Sequence, residues 1–478
     1  MKKLLALITA ASLCLTMAGC GGEKNSSKEN ETTTLTWYVP LSPQEDLPLV
    51  MEAAAKITEP LIGAKIDLQC IEASSFTERM NMNMASGSNF DITFSGWVNP
   101  YLTAVKRGGL MDITELIDEH TTELKGSIPD YAWEAAKVDG KIYAVPNLQI
   151  FAPPTSMLMI KEITEKYGLD VENLNHVSEL EGFLQKVKEN EPLLYPYRPH
   201  YGVRPWTDGI YELIQSDVAI RTDGSSPEVF FLYDTPEYQE GLKTLHEWYK
   251  KGYIRSDILS MGSDAADLKL GKYVVNQSGW APGAEVSAKI NNGGKDMVLK
   301  PIMKPYLTKD KALATMNAIG KSSKNAEKAI KMIELINTNK ELYNLISYGI
   351  EGTHYKKDAE GKVEVDTQSG YVTNSAWMFG NQFNAYLQVG QDDDVWEQTS
   401  KLNDEAIKSP LLGFVLDTDP IKNEISQISA INSEYALNTF IVNGLDNWDE
   451  YMKKLETAGS KKVLAEIQKQ VNEYWKTK

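Results

Sequence analysis

Four tryptophans, Trp97, Trp206, Trp280 and Trp377, stand beside a glycine, a proline or a turn signal that sets them at the end of a regular element. Their sequence neighbours are polar: Asp91 and Asn99 for Trp97, Arg204 and Asp208 for Trp206, Gln277 and Glu285 for Trp280, and Asn374, Asn381 and Gln382 for Trp377. An indole ring covers the C–H face of a sugar at low entropic cost, while amides, carboxylates and guanidinium groups bond the hydroxyl rim. The same residues also serve a packed core, because tryptophan is highly buried in most folded chains. The remaining tryptophans, Trp37, Trp133, Trp248, Trp396, Trp448 and Trp475, read as core or helix-face packing. Asn147 and Gln149 follow Pro146 and read either as ligand contacts at a cleft mouth or as satisfied amides of a turn.

Signatures of covalent or metal chemistry are missing. The chain has no Gly-x-Ser-x-Gly elbow, no His-Glu-x-x-His and no Cys-x-x-Cys, and its five histidines are scattered without metal-ligand spacing. Gly320-Lys321-Ser322 ends like a phosphate loop, but Thr315 stands where the first glycine belongs. Asp392-Asp393-Asp394 and Asp417-Thr418-Asp419 do not continue as an EF-hand and read as solvated acidic loops. Neither a metal nor a cofactor is expected. A glycoside hydrolase remains the enzymatic rival, since it needs only two carboxylates about 5–10 Å apart and the chain holds 66 acidic residues.

The first residues carry an address. Lys2 and Lys3 precede an apolar run from Leu4 to Met17, then Ala18-Gly19-Cys20. A basic start, a short apolar stretch and small residues read as an export signal over residues 1–19, and the run is short for a membrane span, which takes about 20 residues. Ala18-Gly19-Cys20 resembles a bacterial lipobox, with Met17 where leucine is usual. In that reading Cys20 is lipidated and becomes the first mature residue. Residues 20–35 are polar and Gly/Ser/Thr-rich and read as a flexible tether. The net charge of −17 becomes −19 once Lys2 and Lys3 are removed. Such a surface repels nucleic acid and anionic lipid, so membrane attachment is expected through the lipid alone. Cys14 leaves with the signal, and Cys70 is then unpaired and reads as a small buried hydrophobe.

The elements that must position these residues alternate. Leu35–Val39, Lys65–Ile71, Asp91–Phe94, Ile142–Val145, Met157–Ile160 and Tyr273–Gln277 read as strands. Between and after them come helical stretches such as 45–57, 76–85, 178–188, 325–336 and 461–474. Thr235 caps a helix over 236–251 that Gly252 stops. Alternation of this kind argues for α/β architecture with parallel sheets, whose ligands sit beyond the carboxyl ends of the strands. The length of 478 residues allows two or three domains.

Several segments, in order, resemble the extracellular solute-binding proteins of ABC importers (family 1). They are Asn83–Ile92, Gly108–Thr114, Asp139–Pro146, Leu268–Tyr273 running to Gly279-Trp280, and Lys321–Ala329. The later stretches Tyr348–Gly352 and Trp377–Gln382 look like the lipoprotein subgroup of Gram-positive bacteria that serves oligosaccharide importers. The resemblance implies a two-lobed, type II periplasmic-binding-protein-like fold, each lobe a mainly parallel sheet flanked by helices, with a hinge crossed more than once. It implies lobe 1 at 36–148 plus 316–370 and lobe 2 at 149–315 plus 371–478. The implied ligand is a carbohydrate, with an oligosaccharide favoured, held in the cleft by Trp97, Trp206, Trp280, Trp377, Asn147, Gln149, Asp91, Arg204, Asp208 and Asn381. The implied partners are the transmembrane subunits of an ABC permease, reached by a monomer anchored on the extracytoplasmic face of the cell membrane. A peptide or another small solute in the same fold is the alternative ligand.

Overall fold

The computed structural model describes residues 32–477 apart from Tyr201. The export signal, Cys20 and most of the expected tether lie outside the described residues. Thr33–Val39 is already a strand, so the folded body begins before residue 35.

The first lobe is built on a five-stranded sheet in the order Ala64–Cys70, Thr33–Val39, Ile92–Gly96, Thr315–Ile319, Ala144–Pro146. The first three strands run parallel. In Thr33–Val39 the alternate residues Leu35, Trp37 and Val39 are buried, as a two-residue side-chain period requires. The second lobe holds a four-stranded sheet in the order Met297–Pro301, Thr155–Ile160, Tyr273–Gly279, Tyr195–Tyr197. Each lobe has its own apolar core. The helix Pro236–Lys250 starts where the sequence predicts, with the Thr235 hydroxyl accepting from the Tyr238 amide at 3.4 Å.

The two-lobed α/β architecture is present, but its sheets are mixed rather than mainly parallel. Thr315–Ile319 runs antiparallel to both of its neighbours, and so does Thr155–Ile160. The reason is the connectivity. Thr315–Ile319 and Thr155–Ile160 enter their sheets directly from the other lobe and need no crossover helix to reverse direction.

Among the described residues three segments cross between the lobes: 147–154, 302–314 and 406–411. The last two are stitched together where Tyr306–Leu307 pairs with Ile407–Lys408. The third crossing corrects the expected boundary at residue 370. Met378, Phe379, Ala385 and Ala406 are buried in the first core, and the chain enters the second core only from Leu411.

That assignment has a local cause. The Asn317 amide donates to the Phe379 carbonyl at 3.1 Å and to Asn147 Oδ1 at 2.9 Å, and accepts from Trp37 Nε1 at 3.2 Å. The fully buried Asn147 amide in turn donates to the Met378 carbonyl at 2.7 Å. Phe379 then packs edge-on against Trp37, ring centroids 6.0 Å apart. Four sequence-distant segments meet at these two amides. Asn317→Ala would leave Trp37 Nε1, Asn147 Oδ1 and the Phe379 carbonyl buried without this partner. Each such orphan costs about 1–3 kcal/mol, so urea unfolding should show a loss of about 3 kcal/mol or more. A loss below about 1 kcal/mol would contradict the role given to Asn317.

Candidate functional site

Two cavities open between the lobes, one of about 420 Å3 and one of about 520 Å3. The smaller is floored by Gln149 and Ile150 of the first crossing. One wall is the turn Gly279–Gly283 and the helix Ala284–Asn291 of the second lobe. The other is the segment Tyr371–Trp377, with Tyr348, Gln382, Gln388 and Trp396. Its lining contains amides, hydroxyls, aromatic rings and aliphatic carbons, and no charged side chain among the described residues. In a chain of net charge −17 that neutrality is a specific property of the surface.

The wall segment is pinned in place. The Tyr343 hydroxyl donates to the Ala376 carbonyl, the Thr373 hydroxyl to the Ser347 carbonyl and the Tyr371 hydroxyl to the Ile346 carbonyl, each at 2.6 Å. Gln44, from the loop after the first strand, accepts from the Val372 amide at 2.7 Å. Asn374, held at φ +45°, donates to Asn291 Oδ1 of the second lobe at 3.3 Å and so joins the two walls.

Trp97 stands at the edge of the larger cavity and is 55% exposed. Gly96 places it there: at φ +148° a Cβ would lie 2.0 Å from the Ala314 carbonyl oxygen, so only glycine lets the returning chain pass this close. The Trp97 amide bonds that same carbonyl at 3.0 Å. The Trp97 and Trp377 rings approach to 6.5 Å between centroids, so this pair stands between the two cavities.

Of the residues the sequence nominates, Trp97, Trp377 and Gln149 reach the cavities. Asn147 lies behind the wall and holds it. The other six lie elsewhere. Asp91 is buried and bonds the Thr36 amide, the Ser323 hydroxyl and the Asn325 amide, fastening the first strand to the loop that opens the helix Ala326–Thr338. Trp206 is 3% exposed and packs in the second core against His176 and Trp248. Arg204 and Asp208 flank it on the second lobe and line neither cavity; Asp208 accepts from the Thr155 hydroxyl. Asn381 turns back to accept from the Phe383 amide. Trp280 faces a separate groove beside Pro305 and Lys401, because at this strand end its neighbours Gly279 and Ala281 take the cavity side.

Sequence reasoning missed Tyr371, Gln388, Asn291 and Trp396 as lining residues, while Asn374 and Gln382, read as polar neighbours of Trp377, do line the cavity. A signal was present for Tyr371 and Gln388: residues 367–391 carry no charged side chain and are dense in amides and aromatics. Cys70, expected to be buried, is half-buried at its strand end, and burial pushes its thiol up to about 11.

The larger cavity is electrostatically different. Glu212, 8% exposed, lines it and accepts from the Tyr306 hydroxyl at 2.8 Å and the Ser409 hydroxyl at 2.6 Å. Burial raises its carboxyl above the ordinary range, and the two hydroxyls oppose that shift only in part. A folded-state pKa above the unfolded value means that stability is fullest below about pH 4.3 and is lost as pH rises through the folded value. Glu212→Gln keeps an oxygen acceptor and removes the charge. By urea unfolding it should lose less stability than the wild type as pH rises above about 4.3; parallel profiles would contradict the burial of this charge. Trp206→Ala should cost about 3–5 kcal/mol, whereas Trp97→Ala should shift stability by no more than about 0.5 kcal/mol. Equal losses would mean that both rings are core.

The comparisons with known proteins come to the same place. Residues 410–476, the C-terminal helices of the second lobe, match a family model described as a domain of unknown function, DUF3502. The whole chain is 30% identical, over 99% of its partner's length, to a carbohydrate ABC transporter substrate-binding protein of Streptococcus pneumoniae serotype 4 (strain ATCC BAA-334 / TIGR4). Among solved structures it is similar to the N-glycan transport solute binding protein NgtS from Streptococcus pneumoniae, at 30% identity and TM-score 0.82, covering 93% of this chain and 99% of that one. The crystal structure of NgtS in complex with Man5GlcNAc matches at 29% identity and TM-score 0.77, over 93% and 99% of the two chains. With its two lobes, its three crossings and a cavity between them, this chain belongs to the carbohydrate ABC transporter substrate-binding proteins.

Proposed function

We propose that this protein captures an oligosaccharide of the N-glycan type in the uncharged cavity between its lobes, closes on it, and delivers it to the membrane subunits of an ABC importer. The observation that carries this reading is the lining itself: aromatic rings and amides without a charged side chain. That combination suits a neutral polyol, whose C–H faces stack on indole and whose hydroxyls need both donors and acceptors. A peptide would bring terminal charges into a wall that offers them no partner. The paired-carboxylate chemistry of a glycoside hydrolase has no carboxylate in this lining to use.

Closure supplies the mechanism. The lobes are joined by three narrow crossings, a geometry suited to hinge motion. A ligand that touches Trp377 on one wall and Asn291 on the other makes both sets of contacts only when the walls approach, so binding shifts the population toward the closed form. In this reading the protein acts as a monomer on the extracytoplasmic face, held there by lipid on Cys20.

Calorimetry with Man1GlcNAc, Man5GlcNAc and a panel of short peptides tests the ligand class. Saccharide binding without peptide binding is the expected result, and the reverse pattern would overturn it. Trp377→Ala should weaken saccharide binding tenfold or more, about 1.4 kcal/mol or above, with little change in the thermal midpoint. For the anchor, Cys20→Ser should move the protein from the membrane fraction to the medium with its ligand affinity intact; retention in the membrane would contradict lipidation at Cys20.

A further inference from the structure

The sheet of the first lobe has two ends with different surroundings. Thr33–Val39, Ile92–Gly96 and Ala144–Pro146 run toward the cavities, where Gln44, Trp97 and Gln149 follow them. The opposite end collects positive charge. Lys321 and Lys324 follow the carboxyl end of Thr315–Ile319, which runs the other way. The Lys321 amide bonds the Gly109 carbonyl at 3.0 Å, which brings Arg107 to the same end. Lys328 donates to the Thr33 hydroxyl at 2.8 Å and to the Gly63 carbonyl at 2.9 Å. Lys65 lies beside them, paired with Thr34 in the sheet.

Lys65, Arg107, Lys321 and Lys324 are exposed, and among the described residues none of these five cations makes an ion pair. Arg107 bonds the neutral amide of Asn81 at 2.6 Å, so its charge stays uncompensated. Across residues 57–65, 107–110 and 320–331 the carboxylates are Glu59 and Glu327. Lys331 engages Glu327 at 2.6 Å. The adjoining loop 86–90 carries no charge and is tied to this end by the Ser322 hydroxyl, which donates to the Ser88 carbonyl at 2.7 Å.

The same end receives the chain from Cys20. Thr33 begins the first strand, and residues 21–32 reach no further than about 40 Å even when fully extended. With lipid on Cys20, this end of the lobe is the one tied to the bilayer. The net charge of −17 argues for repulsion from an anionic surface. At physiological ionic strength, however, exposed charges are screened beyond about 8 Å, so the local surface decides. Lysine and arginine close to anionic headgroups are attracted to them.

Building on the lipid anchor proposed at Cys20, we propose that this end of the first lobe docks on the anionic headgroups of the bilayer. Docking leaves the cavities at the far end of the sheet, toward the medium that supplies the saccharide. The contact consists of exposed, screened charges, so it is reversible and the protein leaves this pose to deliver its ligand.

The test uses the lipidated full-length mature protein on two kinds of vesicle, phosphatidylcholine alone and equal parts phosphatidylcholine and phosphatidylglycerol. Reductive methylation read by mass spectrometry reports the exposure of each lysine. At physiological salt Lys65, Lys321 and Lys324 should be modified about threefold or more slowly on the anionic vesicles, with Lys422 of the second lobe unchanged. The difference should vanish in molar salt, where the screening length falls to about 3 Å. The double variant Lys321→Glu, Lys324→Glu should lose the protection of Lys65 while it still sediments with both vesicles and keeps its saccharide affinity. Equal modification on the two vesicles, in protein whose intact mass includes the lipid, would overturn the docking surface and leave the anchor standing. Protein that carries no lipid and sediments with neither vesicle would remove both readings.

Discussion

Two buried amides, Asn147 and Asn317, set the terms for the rest of this molecule. Asn147 ends the first lobe's outgoing strand, and Asn317 lies in the middle of the strand that returns. Together they bond each other, the indole of Trp37 and the backbone at Met378 and Phe379. Burying polar groups is tolerable only when every donor and acceptor is satisfied, and here the partners come from four parts of the chain. The place where the chain leaves the first lobe, the place where it comes back, and the segment that carries Trp377 are therefore fixed relative to one another. The cavity wall is thereby hung directly on the first lobe's sheet.

That attachment explains how an acidic protein keeps an uncharged ligand surface. The wall Tyr371–Trp377 is tied by tyrosine and threonine hydroxyls to the helix Lys340–Tyr348, so its backbone groups are satisfied without charged side chains. On its cavity side Asn374 is exposed and the Trp377 ring is half-buried. The opposite wall belongs to another core, that of the second lobe. Rigid lobes with motion confined to the crossings allow binding energy to drive closure without being dissipated in local rearrangement.

Much of this was legible in the sequence, and the illegible parts have physical reasons. Strand and helix positions followed from periodicity and punctuation, as at Thr33–Val39 and Pro236–Lys250. The ordered segments of a known family also carried the two-lobed plan. What periodicity does not encode is which side of a strand end a side chain takes. Trp97 and Trp206 both sit at turns with polar neighbours, yet one is exposed beside a cavity and the other is sealed in the second core. Asp91 looked like a ligand carboxylate because its partners, Ser323 and Asn325, lie more than 230 residues away. The assignment of residues 371–405 to the first lobe depends on the same kind of distant pairing, at Asn147 and Asn317. Neutral, amide-rich residues 367–391 were the strongest unused clue to the site.

The central claim is that a saccharide held between the lobes draws them together about the three crossings. Small-angle X-ray scattering of the protein with and without saturating Man5GlcNAc measures this directly. A bound saccharide should lower the radius of gyration and contract the longest interatomic distances. An unchanged scattering profile in a sample that calorimetry finds saturated would contradict capture by closure.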